Sequence, residues 1–373
     1  MTKVRAITSI ASADIIGNGI SAFFWFYIAT LIEPAKFGEI HYFLGIAAIA
    51  SVISLFGTQN TLIVYTAKNV KIQSTFYFIS LIVGGISSLA IIFIFFRIDA
   101  AVVLLGYIIN TLAIGDLLGR QLYNKYSKYV LMQKILTLVL GIGFFYAFGV
   151  EGIIFALALS YVAFTIRIYN GFRKSKINFS LVRSHVGFIT NNYAMGLVSG
   201  FGGQIDKLII APLLGYMFLG NYSLAGQIIS ILMIFTTIVY KYLLPQDASG
   251  FQNKKLKKFT VVVSIGITLF GILVVPMVIP QIFPKYTESA EAVQIMSLTV
   301  FTSTIGMLYT SKFLAIEKSK FVLFGTLISL VTLVTGTIVL GSLFGIIGLA
   351  IANVLSSTFG VSFLIISNKY IEG

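Results

Sequence analysis

The sequence predicts an all-α polytopic membrane protein, with about twelve transmembrane helices arranged as two six-helix lobes. Three observations predict it: an apolar composition broken into span-length runs, a charge pattern that alternates from loop to loop, and internal repetition. Of 373 residues, 58% are apolar and only 10% charged, which is outside the range of ordinary soluble domains. The clearest runs are 76–96, 259–283 and the uncharged stretch 321–368. That last stretch is long enough for two helices of roughly 20 residues each, joined at GSLFG, 341–345.

Taken in order, the apolar windows and their Gly, Pro or charged breaks place spans near 10–32, 38–64, 74–96, 100–122, 128–148, 151–170, 186–213, 219–243, 259–283, 291–313, 321–341 and 345–367. The first has no small-residue cleavage signal after it and reads as a retained span, not a signal peptide. An even number of spans puts both termini on one side. If that side is the cytoplasm, 22 of the 26 Lys and Arg fall on it, whereas the outer side holds only Lys36, Arg97 and Lys285. Lys207 is the one left over, inside the seventh span. This bias is the positive-inside pattern of a multi-pass protein of the cytoplasmic membrane, and it accounts for the basic net charge without nucleic acid.

The chain repeats itself. FGVEGIIFALALS at 148–160 matches FGIIGLAIANVLS at 344–356 at an offset of 196, and IATLIEPAKFG at 28–38 aligns with IAPLLGYMFLG at 210–220 at an offset of 182. KYSKYVL at 125–131 also matches EKSKFVL at 317–323 at an offset of 192, with the difference absorbed in the hairpin between. The expected organisation is an N-terminal lobe, 1–171, a basic cytoplasmic linker, 172–185, and a C-terminal lobe, 186–373. Each lobe has an even number of helices, so the two are related by an axis along the membrane normal, the parallel kind of repeat found among secondary transporters.

Covalent chemistry finds no support. There is no cysteine, and only His41 and His185, which this topology puts near opposite membrane surfaces, so thiolate and histidine-rich metal sites are excluded. No HExxH, GxSxG or Walker A sequence is present, and no inter-helix loop is long enough for a soluble catalytic domain. The chain is not expected to be an enzyme or to hold a cofactor.

Ionisable residues within spans are the candidate functional groups, because a charge at the helix centre costs roughly 2.5–3.5 kcal/mol on insertion scales and so faces a bundle interior or a wet cavity. These are Asp14, Asp116, Asp206 and Lys207. Asp116 and Arg120 are four apart and can pair on one helix. Asp206 and Lys207 are adjacent, about 100° apart around a helix, and are expected to have separate partners. Before them, Gly196, Gly200, Gly202 and Gly203 suit either close helix packing or a bend, and Pro212 follows them.

The stretch DKLIIAPLLGYMFLGNYSLAGQI, 206–228, resembles the polysaccharide exporter family, the lipid-linked oligosaccharide flippases of the MOP (MATE-like) superfamily. The residues that carry the resemblance are Asp206, Lys207, Gly215, Gly220, Tyr222 and Ser223, continued by Ala225 and Ile228, and supported by LIEPAKFGEIHYF at 31–43 and GIIGLAIANVLSS at 345–357. Lysine in place of arginine at 207 and the shortness of the chain are its departures from that pattern. The resemblance implies translocation of a polyprenyl- or dolichyl-linked glycan across the cytoplasmic membrane by alternating access. Lys207 would then lie in the cavity, Arg120 or Lys312 would receive the diphosphate, and Asp14, Asp116 or Asp206 would couple opening to a proton or a sodium ion. Expected partners are membrane lipids, the glycan-bearing lipid and glycan-assembly enzymes, with the chain acting as a monomer. The rival readings are a cation-coupled multidrug exporter of the same superfamily, and a non-transporting membrane scaffold or glycan-polymerase partner.

Overall fold

A computed structural model describes residues 3–56, 58–249 and 253–372, and they are helical almost throughout. The helices are α1 (Lys3–Leu31), α2 (Pro34–Ser54), α3 (Thr58–Ala67), α4 (Gln73–Phe95), α5 (Ile98–Gly119), α6 (Tyr123–Phe148), α7 (Gly152–Ser160), α8 (Val162–Lys174), α9 (Phe179–Ser184), α10 (Val186–Gly202), α11 (Ile205–Leu214), α12 (Tyr216–Leu232), α13 (Ile234–Ala248), α14 (Lys254–Leu273), α15 (Val275–Ile282), α16 (Thr287–Met296), α17 (Leu298–Ala315) and α18 (Ser319–Glu372). Pro34 opens α2 at its first position, where a missing N–H costs nothing. Hydroxyls within the helices bond back to their own backbones, as Thr260 does to the Leu256 carbonyl at 2.8 Å, which is how a polar side chain is satisfied at membrane depth.

Nine helical runs among the described residues are long and apolar enough to cross a membrane, or ten if the pair Tyr216–Leu232 and Ile234–Leu244, bent by 48°, is one span. Two of the nine, Tyr123–Arg173 and Ser319–Tyr370, contain 51 and 52 residues. A straight helix of that length would span more than twice the ~30 Å hydrocarbon core. Both turn back instead. Gly149 and Gly345 take φ of 70° and 55° at the reversals, a region where a side chain is strained. Just beyond them, a Cβ on Gly152 would sit 2.7 Å from the Phe144 carbonyl oxygen, and one on Gly348 would overlap that of Leu340. The residues that meet are eight apart along the chain, so each run is a close-packed hairpin.

These reversals reproduce one another at the offset of 196. So do the helix ends before them. Gln121 and Glu317 have φ of 56° and 60°. Each is followed by the same pair of backbone bonds, Leu122 N–H to the Leu117 carbonyl and Gln121 N–H to Leu118, then Lys318 N–H to Phe313 and Glu317 N–H to Leu314. α6 and the second helix that begins at Ser319 therefore start in register at 196. This corrects the match of KYSKYVL with EKSKFVL at 192: it is a chance likeness of short basic segments, out of step with the backbone by one helical turn.

The chain divides into two compact units whose bounds differ from those expected for the lobes and linker: residues up to Ile28 with Phe43–Gln204, and Ala29–Tyr42 with the rest from Ile205 on. In the first unit α5 is central, flanked by α3, α4, α7 and α8. The core around it includes the fully buried Phe76, Leu104, Ile108, Ile153 and Phe164. Segment 172–185 belongs to this unit, held by Ser74 Oγ donating to the Ser175 carbonyl at 2.7 Å and the Asn178 N–H donating to Thr75 at 2.8 Å. In the second unit α18 packs on α11, α16 and α17, and α12 on α11 and α16. Large apolar side chains such as Phe93, Ile86, Val262 and Met277 stay exposed, as a lipid-facing surface requires.

The other repeat pair meets physically inside the second unit. A Cβ on Gly38 would overlap the carbonyl oxygen of Tyr216, and one on Gly220 would overlap that of Pro34. Gly38 and Gly220 are equivalent at offset 182, as are Pro34 and Tyr216, so the contact is reciprocal, the signature of a local two-fold. Replacing Gly220 with alanine should force the two helix starts apart at a cost of about 1–3 kcal/mol. Gly226→Ala, which meets only open space on the same helix, should cost nothing. Thermal unfolding of the solubilised protein checks this: equal melting temperatures for the two variants would refute the close contact.

Candidate functional site

The second unit holds a polar cluster at the start of α11. α10 stops at Gly202, and after Gly203 and Gln204 the helix resumes at Ile205, which puts Asp206 in a first turn, where the helix dipole favours a carboxylate. Its Oδ1 accepts the Lys207 N–H at 2.8 Å, and its Oδ2 accepts the Tyr222 hydroxyl at 3.0 Å. Tyr222, on α12 and buried, accepts in turn from Asn353 Nδ2 on α18 at 3.0 Å. One relay of donors thus ties three helices to a single carboxylate.

Lys207 is close enough for its charge to act on both Asp206 and His41. His41 lies on α2, two turns in from Pro34, buried, with its ring edge-on to Phe37 at 4.4 Å and 71°. Asp206 takes the Tyr222 hydroxyl, and the charges of Asp206 and Lys207 act on each other. His41 is buried in helix packing.

Asp14 and Asp116 belong to separate clusters in the first unit. Asp116 is buried; its Oδ1 takes Arg120 Nε at 2.7 Å, the expected pair one turn away, and its Oδ2 takes Arg167 Nη2 of α8 at 2.9 Å. The fully buried Tyr77 ring packs against Gly171 beside this triad. Asp14 accepts the Tyr126 hydroxyl at 2.8 Å. The stem of Lys134, three turns into α6, lies 3.2 Å from where a Cβ on Gly17 would be, and its charge acts on Asp14. Lys134 therefore joins the interior charges and leaves the loop set to which its position assigned it.

Lys312 stands in the last turn of α17, at the position that corresponds to Asp116 at offset 196. Its neighbour Ser311 donates to Asp247 Oδ2 at 2.6 Å, and Lys257 pairs with Asp247 Oδ1 at 2.7 Å. The repeat thus keeps a buried carboxylate stapled by a cation at this helix end in both units, but draws the carboxylate from different helices.

Sequence reasoning missed Arg167, Tyr126, Lys134, His41, Asn353 and Asp247 as partners. Tyr222 and Asn353 were visible only as members of the family-like strings. Of the glycines before Asp206, Gly200 is a packing glycine, 2.7 Å from Val52 at its absent Cβ, whereas Gly196 and Gly202 meet open space.

No family model and no curated protein matches the chain. Solved structures do. A multidrug resistance MATE family transporter of the MOP superfamily, in an inward-facing conformation, shares 17% identity, with a TM-score of 0.73, covering 98% of this chain and 99% of that one. The lipid II flippase MurJ, in an inward closed conformation, shares 13% identity with a TM-score of 0.77, covering 96% and 87%. A MOP superfamily transporter from Pyrococcus furiosus, described as having a binding pocket of reverse polarity, shares 17% identity with a TM-score of 0.56, covering 99% and 96%. Likeness at such identities shows the fold alone: the described residues form an all-α, multi-pass membrane fold like that of these MOP superfamily structures.

Proposed function

We propose that the protein is an alternating-access flippase for a lipid-linked oligosaccharide. Its twelve spans would be completed by counting each hairpin run as two and the bent pair α12–α13 as one, with two six-helix lobes, 1–171 and 186–373, joined by 172–185, and both termini in the cytoplasm. The observation that carries the reading is the cluster of Asp206, Lys207, Tyr222, Asn353 and His41 within apolar helices. Lys207 supplies a positive point for a phosphate, and Asp206 a carboxylate that a proton or sodium ion can neutralise. Arg120 is the more exposed cation of its triad, 32% accessible, and either it or Lys312 would supply positive charge for a diphosphate. The sequence resemblance to polysaccharide exporters favours the glycan over a drug.

A multidrug exporter is the second reading, favoured by the likeness to MATE transporter structures. A static scaffold fits the paired charges of the first unit but leaves the buried relay from Asp206 to Asn353 without a use. Reconstitution separates these. Vesicles carrying the protein should move an undecaprenyl-diphosphate glycan to the opposite leaflet faster than protein-free vesicles, with a rate that responds to an imposed proton or sodium gradient. Transport of a lipophilic cation in its place would establish the exporter, and transport of neither the scaffold.

A further inference from the structure

The first unit contains a cavity of about 250 Å³ where α2 gives way to α3. α2 ends at Ser54, Phe56 takes a positive φ of 50°, and the helix resumes at Thr58. The Ile53 carbonyl at this break accepts the Tyr193 hydroxyl of α10 at 2.9 Å, and the Phe56 and Tyr193 rings stack with centroids 4.9 Å apart and planes 24° apart. The polar lining consists of Ser51, Gln59, Asn60, Thr111, Asn192 and Tyr193, and the open side of Gly196 completes the wall. The lining carries no charged residue.

The chemistry of this lining is specific. Gln59 and Asn60 are exposed and Asn192 is half-buried. A carboxamide offers two donors and two acceptor sites, and leaving it against hydrocarbon costs several kcal/mol, so these three face water or a polar ligand. Asn192 spends one N–H on the Phe188 carbonyl at 2.9 Å, which leaves its other N–H and its oxygen for a ligand. Ser51 and Thr111 donate to their own helices, at 2.7 Å to Ala48 and 2.9 Å to Tyr107, and so present only lone pairs. A phosphate would call for Arg or Lys here and a cationic drug for a carboxylate. A neutral ring with many hydroxyls needs neutral donors and acceptors beside an aromatic edge, in a space smaller than a drug-sized pocket.

We propose that this cavity seats a sugar ring of the transported glycan, apart from the charged groups that take the diphosphate. The assignment rests on the flippase reading and specifies where that reading places the uncharged part of the substrate.

The full-length protein in lipid nanodiscs is titrated with three probes: undecaprenyl diphosphate bearing a neutral disaccharide, undecaprenyl diphosphate alone, and ethidium. The wild type should bind the glycosylated carrier about tenfold more tightly than the bare one, the worth of one or two net hydrogen bonds. Asn192→Leu combined with Gln59→Leu should abolish that advantage and leave the affinity for the bare carrier unchanged, while Asn192→Gln, which retains a carboxamide, should keep most of it. Unchanged bare-carrier binding also shows that the variants fold. Equal binding of the two carriers by the wild type, or a proportionate loss of both in the leucine variant, overturns the sugar site and leaves the flippase reading standing. Binding of ethidium and of neither carrier overturns the flippase reading and the sugar site with it.

Discussion

Asp116→Ala should destabilise the folded protein by about 3–5 kcal/mol, because it leaves the nearly buried Arg167 guanidinium, with Arg120 beside it, without a counter-charge. The carboxylate is buried and Arg167 nearly so, whereas the Arg120 side chain is 32% accessible and can reach solvent or lipid phosphates. The asymmetry orders the series: Arg167→Ala should cost more than Arg120→Ala, and the double variant Asp116→Leu with Arg167→Leu should recover much of the loss, since removing both members of a buried pair is far cheaper than removing one. Melting temperatures of the four solubilised variants measure this directly. A single Asp116→Ala variant as stable as the wild type would show that the triad contributes nothing to stability.

The second large effect concerns transport. Asp206→Asn keeps the shape and one acceptor, so the Lys207 N–H bond survives while the Tyr222 hydroxyl must turn to accept from the new amide, and it removes the charge and with it the capacity to take up a cation. If Asp206 couples the cycle, transport should fall at least tenfold and lose its response to the ion gradient, with little change in stability. Tyr222→Phe breaks the relay to Asn353 while leaving the carboxylate charged, so its transport should fall less and still respond to the gradient. Lys207→Ala should weaken uptake of the diphosphate carrier without altering that response. Full, gradient-dependent activity in both Asp206→Asn and Lys207→Ala would remove the cluster from the mechanism.

Much of the fold was legible because the bilayer imposes it. A run such as 76–96 can satisfy its backbone only as a helix, so hydropathy alone placed α4 almost to its ends. The hairpins at Gly149 and Gly345 were legible for a similar reason: a tight reversal between packed helices needs glycine both for its φ and for the close approach that follows. The pairing of Asp116 with Arg120 followed from the helical period, but Arg167 did not, because it arrives from another helix and no spacing encodes that. His41 and Asn353 stayed hidden for the same reason. The cavity beside Asn192 was hidden too, since it depends on where α2 breaks, and Phe56 is an unusual residue for a positive φ. The likeness at 125 and 317 misled because short basic segments follow the membrane boundary whatever the register.

Residues 29–42 lie near the beginning of the chain but belong with everything after 204. Ile32, Phe37 and Ile40 are all buried, and the Ile32 carbonyl accepts the Tyr286 hydroxyl from 254 residues away, at 3.3 Å. On the ribosome, then, this short stretch emerges well before the partners it packs against are made. Until Gly220 and Tyr286 have been synthesised, the early apolar side chains lack these native partners and have lipid, or a membrane insertase, to keep company with.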